Sequence, residues 1–271
     1  MKTFRRLYIF TGKGGVGKTT LSRAFVKELM KAGQPALYLT FKNQSMTDKS
    51  SPSEDRNVGG IREIHLDLED CARGYVEKRL GSRMIASWIL KAPFFRALIN
   101  MVPGFSYLIF LGKILEMGKD NPNLSIVLDA PASGHALTMV ESTSNFGEIF
   151  GSGIVFDDTL KMLAKLNDPA YTKIHVISLP SLMSWQEATE LKESLKKRTP
   201  VEVDITINNY LYPLVDSKLD LLPQGLKEKA QNEQKLIDQN QEKILCVLPH
   251  SLDETQLKIE SSLENQLGQL F

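Results

Sequence analysis

A glycine-rich segment between a strand-like run and a helical run constrains the fold of this chain more than any other feature. Residues 7–11 have the apolar composition of a buried strand, and residues 17–32 have the periodicity of a helix that ends at Gly33. Between them lies Gly-Lys-Gly-Gly-Val-Gly-Lys-Thr, which fits the phosphate-binding pattern GxxxxGKS/T in full. A strand, a glycine turn and a helix in this order predict a βαβ unit with an anion site at the start of the helix.

The residues of this loop have separate chemical roles in such a site. The backbone N–H groups of the glycine turn would surround the α and β phosphates of ATP, and Lys18 would reach the β and γ phosphates. The Thr19 hydroxyl would be a ligand of Mg²⁺. A glycine turn that binds nothing is the alternative. The predicted ATP contacts in the loop are Gly12, Lys13, Gly14, Gly15, Val16, Gly17, Lys18, Thr19 and Thr20.

The rest of the chain alternates short strand-like runs with longer helical runs, which predicts an α/β fold with a mostly parallel sheet in a single domain, 1–271. Residues 42–60 are polar and predict a mobile loop. Residues 82–118 interrupt the alternation and predict a helical insertion that is broken at Pro93 and Pro103. Further strands are predicted at 36–41, 61–68, 125–128, 174–179, 203–207 and 244–248, and further helices at 69–80, 183–198, 223–241 and the C-terminus.

Charge and cysteine content exclude several classes of function. The 33 Lys and Arg against 32 Asp and Glu leave a net charge of +1, which gives no whole-molecule attraction to nucleic acid or anionic membranes. The two cysteines, Cys71 and Cys246, are too far apart in sequence for a zinc motif, and they favour a reducing compartment. No targeting segment is visible, and the longest uncharged run, 97–112, is shorter than a membrane-spanning helix requires. We therefore expect a cytoplasmic protein.

The position of Lys13 narrows the class of phosphate-binding loop. The string KGGVGKT resembles the deviant Walker A loop of the superfamily that contains MinD, ParA, ArsA and the nitrogenase iron protein. The resemblance implies a P-loop ATPase that forms a dimer around its nucleotides. It also implies that Lys13 reaches across the dimer interface to the partner's phosphates and acts in catalysis with Lys18. An ordinary surface lysine in a standard P-loop is the alternative.

An apolar strand that ends in Asp129 has the form of a Walker B site, where the carboxylate faces Mg²⁺. This assigns Asp129 as a metal ligand with Thr19, and as a catalytic residue. The segment that follows, DAPASGHAL, resembles the switch II stretch of the ArsA family, which includes the arsenite-pump ATPase and the tail-anchored-protein targeting factor. The resemblance implies that His135 responds to the nucleotide state; a buried structural histidine is the alternative.

Two weaker matches lie near the C-terminal end of the chain. Asn208 ends a strand-like run and resembles the position that reads the adenine base in this family, with a plain strand-end Asn turn as the alternative. The Leu-Pro-His segment at Pro249 resembles the loop that closes over the adenine. The resemblance covers nearly the whole chain in order. Within the family, the chain is similar to the short bacterial branch.

The chain departs from the family pattern at switch I. Phe41 stands where the family has the Asp that positions the attacking water, so hydrolysis could be slow or depend on a partner; Asp48 is a substitute only if its loop folds inward. The cysteines do not match the metalloid cluster of the pump or the shared zinc of the targeting factor. Both are expected to be small buried hydrophobes, and transport of a metalloid or anion is therefore disfavoured.

Three functions follow from these features. The first is a dimeric Mg-ATP-dependent switch ATPase whose output is conformational, acting on a client or partner. The second is a regulatory subunit that binds ATP with little hydrolysis and works with a catalytic paralogue. The third, a ParA-like or MinD-like positioning ATPase, is disfavoured because the C-terminal helix is acidic. The apolar residues of 84–117 could bind a hydrophobic protein client, or they could pack on the sheet and a dimer partner.

Overall fold

The computed structural model describes residues 3–43, 52–101, 104–131, 137–141, 154–251 and 255–271. Its strands are β1 (Leu7–Thr11), β2 (Ala36–Asn43), β3 (Glu54–Val58), β4 (Ile61–Asp67), β5 (Ser125–Asp129), β6 (Thr172–Ser178), β7 (Glu202–Tyr210) and β8 (Ile244–Pro249). Its α-helices are α1 (Lys18–Lys31), α2 (Leu68–Leu80), α3 (Arg83–Lys91), α4 (Pro93–Met101), α5 (Phe105–Asp120), α6 (Ile154–Leu166), α7 (Leu182–Lys196), α8 (Tyr212–Val215), α9 (Gln224–Asn240) and α10 (Gln256–Leu263). The predicted α/β class is confirmed.

The eight described strands form one sheet in the order β3-β4-β2-β5-β1-β6-β7-β8. All neighbouring pairs are parallel except β3 with β4. The strand before the glycine loop, β1, therefore lies inside the sheet, between β5 and β6. Because the strands on both sides of it are parallel, their carboxyl ends lie at the same edge as the loop, where α/β proteins bind ligands.

Helices cover both faces of the sheet. Side chains alternate along a strand, so Tyr8 and Phe10 pack with Phe25 of α1 on one face. Leu7 and Ile9 belong to the cluster on the other face, which includes α5. The C-terminal segment completes the first face, where Leu263, Leu267 and Leu270 are buried against α1. Both faces of β1 are thus fully buried, which fixes the direction in which the glycine loop leaves the sheet.

The prediction of a loop over residues 42–60 is wrong at both ends. β2 continues to Asn43, and Glu54–Val58 form β3, which pairs with β4 through a turn at Gly59 and Gly60. Both glycines have positive φ (59° and 84°), the geometry of a two-residue hairpin turn. β3 was missed because its side chains are mostly charged, as is usual for an edge strand. Asp48 lies outside the described residues.

The segment predicted as a helical insertion contains α3, α4 and α5. The first break is confirmed, since α4 begins at Pro93; α4 ends at Met101 and α5 begins at Phe105, after Gly104 with φ of 81°. α5 is part of the main core, where Phe110 is fully buried. α3 lies farther out, and Trp88 is 75% exposed. No helix in the described ranges is both long and apolar enough to cross a bilayer.

Candidate functional site

The glycine loop lies at the carboxyl edge of the sheet, between β1 and α1. Gly12 has φ of 142°, and a Cβ there would lie 2.3 Å from the carbonyl oxygen of Ile177 on β6. A side chain at this position would therefore collide with the backbone of the neighbouring strand. Above Gly14 and Gly15 an added Cβ would meet no atom within 4 Å. The backbone of β6 thus packs closely against the loop at Gly12, whereas the space beside Gly14 and Gly15 is open. This open space leaves room for phosphate groups over the described loop.

Asn208 fixes the loop from the side. It is buried at the end region of β7, and its Nδ2 donates a hydrogen bond to the carbonyl oxygen of Val16 at 2.9 Å. A Cβ on Gly17, which has φ of 93°, would lie 2.3 Å from the same nitrogen. Glycine is thus required at position 17 for both its backbone conformation and the close approach of Asn208. One hydrogen of the Asn208 amide is used by the loop, so the second hydrogen and the side-chain carbonyl are left for other partners.

Lys18, the first residue of α1, folds over the loop. Its Nζ donates hydrogen bonds to the carbonyl oxygens of Gly12 at 3.0 Å and Lys13 at 2.9 Å. Burial lowers the pKa of Lys18, and the charge of Asp129 opposes that shift. The ammonium group therefore already lies over the glycine turn, held there by neutral acceptors that a phosphate oxygen would exceed in strength.

The structure places the side chains of Thr19 and Asp129 next to each other. The Thr19 hydroxyl donates a hydrogen bond of 2.5 Å to Oδ2 of Asp129, and the Tyr38 hydroxyl donates to the same oxygen at 2.8 Å. Asp129 is 7% exposed, and burial raises its pKa, while the hydrogen bonds from Thr19 and Tyr38 act in the opposite direction. A hydroxyl and a carboxylate side by side at the end of the loop form the oxygen donor pair that Mg²⁺ takes in P-loop proteins.

Lys13 lies on the outer surface of the loop. Its Nζ makes an ion pair of 2.7 Å with Oε1 of Glu187 on α7, and both side chains are about half exposed. Leu182 and Met183, at the start of the same helix, are largely exposed. Lys13 therefore points away from the phosphate side of its own loop, toward a surface that also presents apolar side chains.

Phe41 lies at the carboxyl end of β2, and its side chain turns toward α5. It stacks on Phe110 with ring centroids 4.2 Å apart and an interplanar angle of 10°. Its position is partly buried and continuous with the main core. An apolar residue is thus required here by packing, and the position has no carboxylate that could orient water.

Pro249 ends β8 and lies beside Tyr210 of β7 in the sheet register. The next residue, His250, donates its backbone N–H to the carbonyl oxygen of Tyr210 at 2.9 Å. This brings the Pro249 turn to the same edge of the sheet as Asn208. Thr20, the second hydroxyl residue of α1, is partly buried beside Thr19. His135 and most of the switch II segment, 132–136, lie outside the described residues.

A family model described as anion-transporting ATPase matches residues 5–165, more than half of the chain. The chain belongs to this family. The match covers the glycine loop, Asp129 and α2 to α5, so it includes the main elements of the candidate site. It agrees with the ArsA-like resemblance given by the deviant Walker A loop and the DAPASGHAL segment.

Named proteins align over most of this anion-transporting ATPase family chain. ATPase BagA of Mycobacterium tuberculosis is 22% identical over 84% of this chain and 70% of its own length. ATPase asna-1 of Caenorhabditis elegans is 22% identical over 80% of this chain and 77% of its own length. The arsenical pump-driving ATPase of Acidiphilium multivorum is 25% identical over 89% of this chain and 41% of its own length. The last alignment leaves more than half of that protein unmatched.

The family's name raises the question of an anion or metal site formed by cysteines. Cys71 and Cys246 are both buried, and burial raises their pKa values to about 12 and about 11. Both thiols are therefore protonated near neutral pH. Within the ranges that the structure describes, no group of three His, Cys, Asp or Glu side chains could hold a metal ion. The expectation that both cysteines are small buried hydrophobes agrees with this burial.

Two residues of the site were not found from the sequence. Tyr38 lies in the middle of β2 and is indistinguishable there from a core aromatic residue, although its hydroxyl binds Asp129. Glu187 lies 174 positions from Lys13, in a polar helix face without a motif. Only the parallel arrangement of β1, β2, β5 and β6 brings these residues to the loop.

Proposed function

We propose that this chain binds Mg-ATP at the glycine loop and works as a nucleotide-dependent conformational switch. The hydrogen bond between Thr19 and Asp129 carries the proposal, because it joins the hydroxyl of the phosphate loop to the carboxylate at the end of β5, the neighbour of β1 in the sheet. Bound ATP would supply the phosphoanhydride bond. Mg²⁺ would supply the positive charge that neutralises the phosphate oxygens. Thr19 and Asp129 would hold the metal, and Asn208 and Pro249 would contact the adenine base.

The positions of the two lysines and of the backbone N–H groups support roles in phosphate binding. Lys18 lies over the loop and would exchange two carbonyl acceptors for phosphate oxygens, which bind ammonium more strongly. Lys13 is directed outward, where it would contribute to the phosphates of a second copy in a dimer. The backbone N–H groups of residues 12–17 would surround the phosphates at the positive end of α1.

The candidate site has no general base at Phe41. The phenyl ring of Phe41 is stacked on Phe110 and has no group that accepts a proton, so this residue cannot act as a general base. This observation favours the second candidate function, a regulatory subunit that binds ATP and hydrolyses it slowly or only with a paralogue. Loss of a general base typically lowers a rate by about 10²–10⁴-fold.

The conformational output would pass to the helical segment. Phe41 touches α5, and α5 contacts α4, so a change at the end of β2 has a packed route to α3 and α4. α3 exposes Met84, Ile85 and Trp88, and α4 exposes Met101. We propose that these exposed side chains contact a hydrophobic segment of a client protein, whereas Phe105, Leu108, Phe110 and Leu111 are buried and pack the core.

Nucleotide binding and phosphate release on the same samples test this proposal. The wild type should bind ATP with Mg²⁺ more tightly than with EDTA, and Lys18→Ala should abolish binding. Asp129→Asn should retain the fold and lose the advantage that Mg²⁺ gives. Phosphate release by the wild type supports the switch ATPase, and tight binding without release supports the regulatory subunit. Absence of ATP binding would rule out both.

A further inference from the structure

A cavity lies at the opposite edge of the sheet from the glycine loop. It has a volume of about 830 Å³ and is enclosed by α2, α5 and α6. Three of its lining residues, Arg6, Pro122 and Tyr171, precede β1, β5 and β6, so the cavity lies at the amino ends of these strands. This volume is within the range of about 300–1,000 Å³ that small-molecule sites occupy. Phosphates bound at the glycine loop would not reach it.

Cationic side chains dominate the lining of this amino-edge cavity. Seven Lys and Arg face two carboxylates, Asp158 and Glu116, which leaves five positive charges in excess. Both carboxylates are already used: Asp158 pairs with Arg79, and Glu116 lies 2.5 Å from Lys78 and 3.2 Å from Lys113. The remaining cations are therefore not neutralised by the lining.

Three lysines at the cavity are available for a ligand. Lys119 of α5 and Lys161 and Lys165 of α6 are exposed, and none of them lies within ion-pair distance of a carboxylate among the described residues. The Nζ of Lys165 lies 5.1 Å from the ring centroid of Tyr171, which also lines the cavity. Arg6 lines the same cavity, and its guanidinium donates hydrogen bonds to the carbonyl oxygens of Gly118 and Asn121.

Helix dipoles do not account for this charge. Lys78, Arg79, Lys119 and Lys165 lie in the last turns of α2, α5 and α6, where cations stabilise the negative end of a helix. Each helix end carries roughly half a negative charge, so three ends offset about 1.5 of the excess of five. A net positive charge of about 3.5 therefore remains on the lining of the cavity.

The floor of the cavity is apolar. Cys71, Ile109 and Met162 line it, and it continues into a smaller pocket of about 40 Å³ that Phe105 and Leu108 help to form. A simple inorganic anion would leave this surface uncovered. A ligand that carries an anionic group on an apolar body would match both the lysine rim and the floor.

We infer that the amino-edge cavity binds a small amphiphilic anion, an apolar or aromatic body that carries a phosphate, sulfate or carboxylate group. The apolar part lies on Ile109 and Met162, and the anionic group lies among Lys119, Lys161 and Lys165. Binding there is separate from nucleotide binding, so this inference does not depend on the proposed function of the glycine loop.

The fluorescent probe 8-anilinonaphthalene-1-sulfonate tests the inference, with N-phenyl-1-naphthylamine, which has the same rings without the sulfonate, as the neutral control. Both are titrated into the full chain with saturating Mg-ATP present and absent. Lys161→Glu combined with Lys165→Glu should weaken sulfonate binding by about tenfold or more. The naphthylamine affinity should change by less than about twofold, because the apolar floor is intact.

Two further variants keep the test independent of folding. Lys196→Glu with Lys197→Glu makes the same charge change on exposed residues of the α7 terminus and should leave sulfonate binding unchanged. Lys119→Glu changes the α5 side of the cavity and should weaken binding without altering α6. An unchanged sulfonate affinity in both cavity variants would overturn the inference. An equal loss for the neutral probe, or in the α7 variant, would also overturn it.

Displacement experiments separate a free ligand from a membrane lipid. Octyl phosphate should displace the sulfonate probe, because it combines a phosphate with a short apolar chain. Displacement by phosphatidylglycerol vesicles alone, with octyl phosphate ineffective, would overturn binding of a free amphiphile. The vesicle result would then indicate a membrane surface as the source of the anion.

Discussion

At the scale of single residues, the ion pair between Lys13 and Glu187 determines what the outer lysine of the loop can do. A lysine that acts on the phosphates of a second copy must leave Glu187 first. Half-exposed ion pairs of this kind contribute about 0–1 kcal/mol, so the cost of release is a factor of about five or less. Glu187 is therefore a weak restraint on Lys13 and does not prevent it from reaching a partner.

This weak restraint gives the first prediction. Glu187→Gln should raise the phosphate-release rate by up to about fivefold, because it removes a restraint of about 1 kcal/mol or less. Lys13→Ala should lower the rate by about 10³-fold or more, if the lysine has the role of an arginine finger. Steady-state phosphate release measures both. Glu190→Gln, one turn farther along α7, is the matched control, and an equal increase in that variant would contradict the explanation.

A fully buried histidine gives the second prediction. His175 on β6 lies among Tyr8, Phe10 and Phe25, and burial lowers its pKa to about 3. In the unfolded chain a histidine has a pKa of about 6.5. Above pH 6.5 both states are neutral; below it the unfolded state takes up a proton and stability falls until about pH 3. The loss at pH 5 is about 2 kcal/mol.

Urea denaturation at pH 7 and pH 5 measures this loss. The wild type should lose about 2 kcal/mol more between the two pH values than His175→Phe, which has no proton to gain. His65→Gln is the control: burial also lowers the pKa of His65, but this side chain is partly exposed, so its contribution to the loss should be smaller than that of His175. The same pH dependence in His175→Phe and in the wild type would show that other groups cause the loss.

At the scale of helices and strands, the stack of Phe41 on Phe110 is one contact that links the candidate site to the helical segment. Two residues of β2 make the relevant contacts. The Tyr38 hydroxyl donates a hydrogen bond to Asp129, and the Phe41 ring packs on α5. A movement of Asp129 upon Mg²⁺ binding would therefore displace β2 and the aromatic stack together. α5 contacts α4, and α4 contacts α3, so the displacement can reach Trp88.

Tryptophan fluorescence provides the third prediction. The chain has two tryptophans, and Trp185 is buried whereas Trp88 is 75% exposed. In a Trp185→Phe background, Mg-ATP should change the Trp88 emission, and Phe41→Leu should reduce that change severalfold while ATP binding stays within about twofold. Leu is chosen because it keeps most of the buried volume. The control is Phe4→Leu, which removes a ring that packs on the α1 face of the sheet, outside the proposed route.

A Trp88 response that survives Phe41→Leu at full amplitude would contradict the proposed route. The same conclusion would follow if Phe4→Leu reduced the response equally. A loss of ATP binding in Phe41→Leu would instead place Phe41 in the site itself. Unfolding midpoints of the variants establish that each retains its fold during the measurement.

The elements also show what could be predicted from the sequence. The turn before α1 was predictable because Gly12 and Gly17 encode its geometry locally, and Asp129 was predictable because it ends an apolar run. β3 was not, since its residues 54–58 have the polar composition of a loop, and only the Gly59–Gly60 turn indicated a hairpin. The partners of Asp129 and Lys13 depend on strand order and on α7, which no local pattern specifies. The amino-edge cavity likewise requires three helices that are distant in sequence.

At the scale of the whole molecule, one face combines the open glycine loop with exposed apolar side chains. Gly14 and Gly15 have free space above them, Lys13 points outward, and Leu182 and Met183 at the start of α7 are 66% and 69% exposed. Large exposed apolar side chains beside a functional loop commonly mark an interface. Two copies that meet at this face would place the Lys13 of each near the loop of the other.

This face gives the last prediction, an ATP-dependent dimer. Light scattering should give a monomer mass without nucleotide and a dimer mass with Mg-ATP under conditions without turnover. Met183→Glu should weaken the dimer by about tenfold or more, because it introduces a charge into the apolar contact. Met84→Glu, on the exposed face of α3, is the matched control and should dimerise normally. A dimer that is insensitive to both nucleotide and Met183→Glu would place the interface elsewhere, and Lys13 would then act only within its own chain.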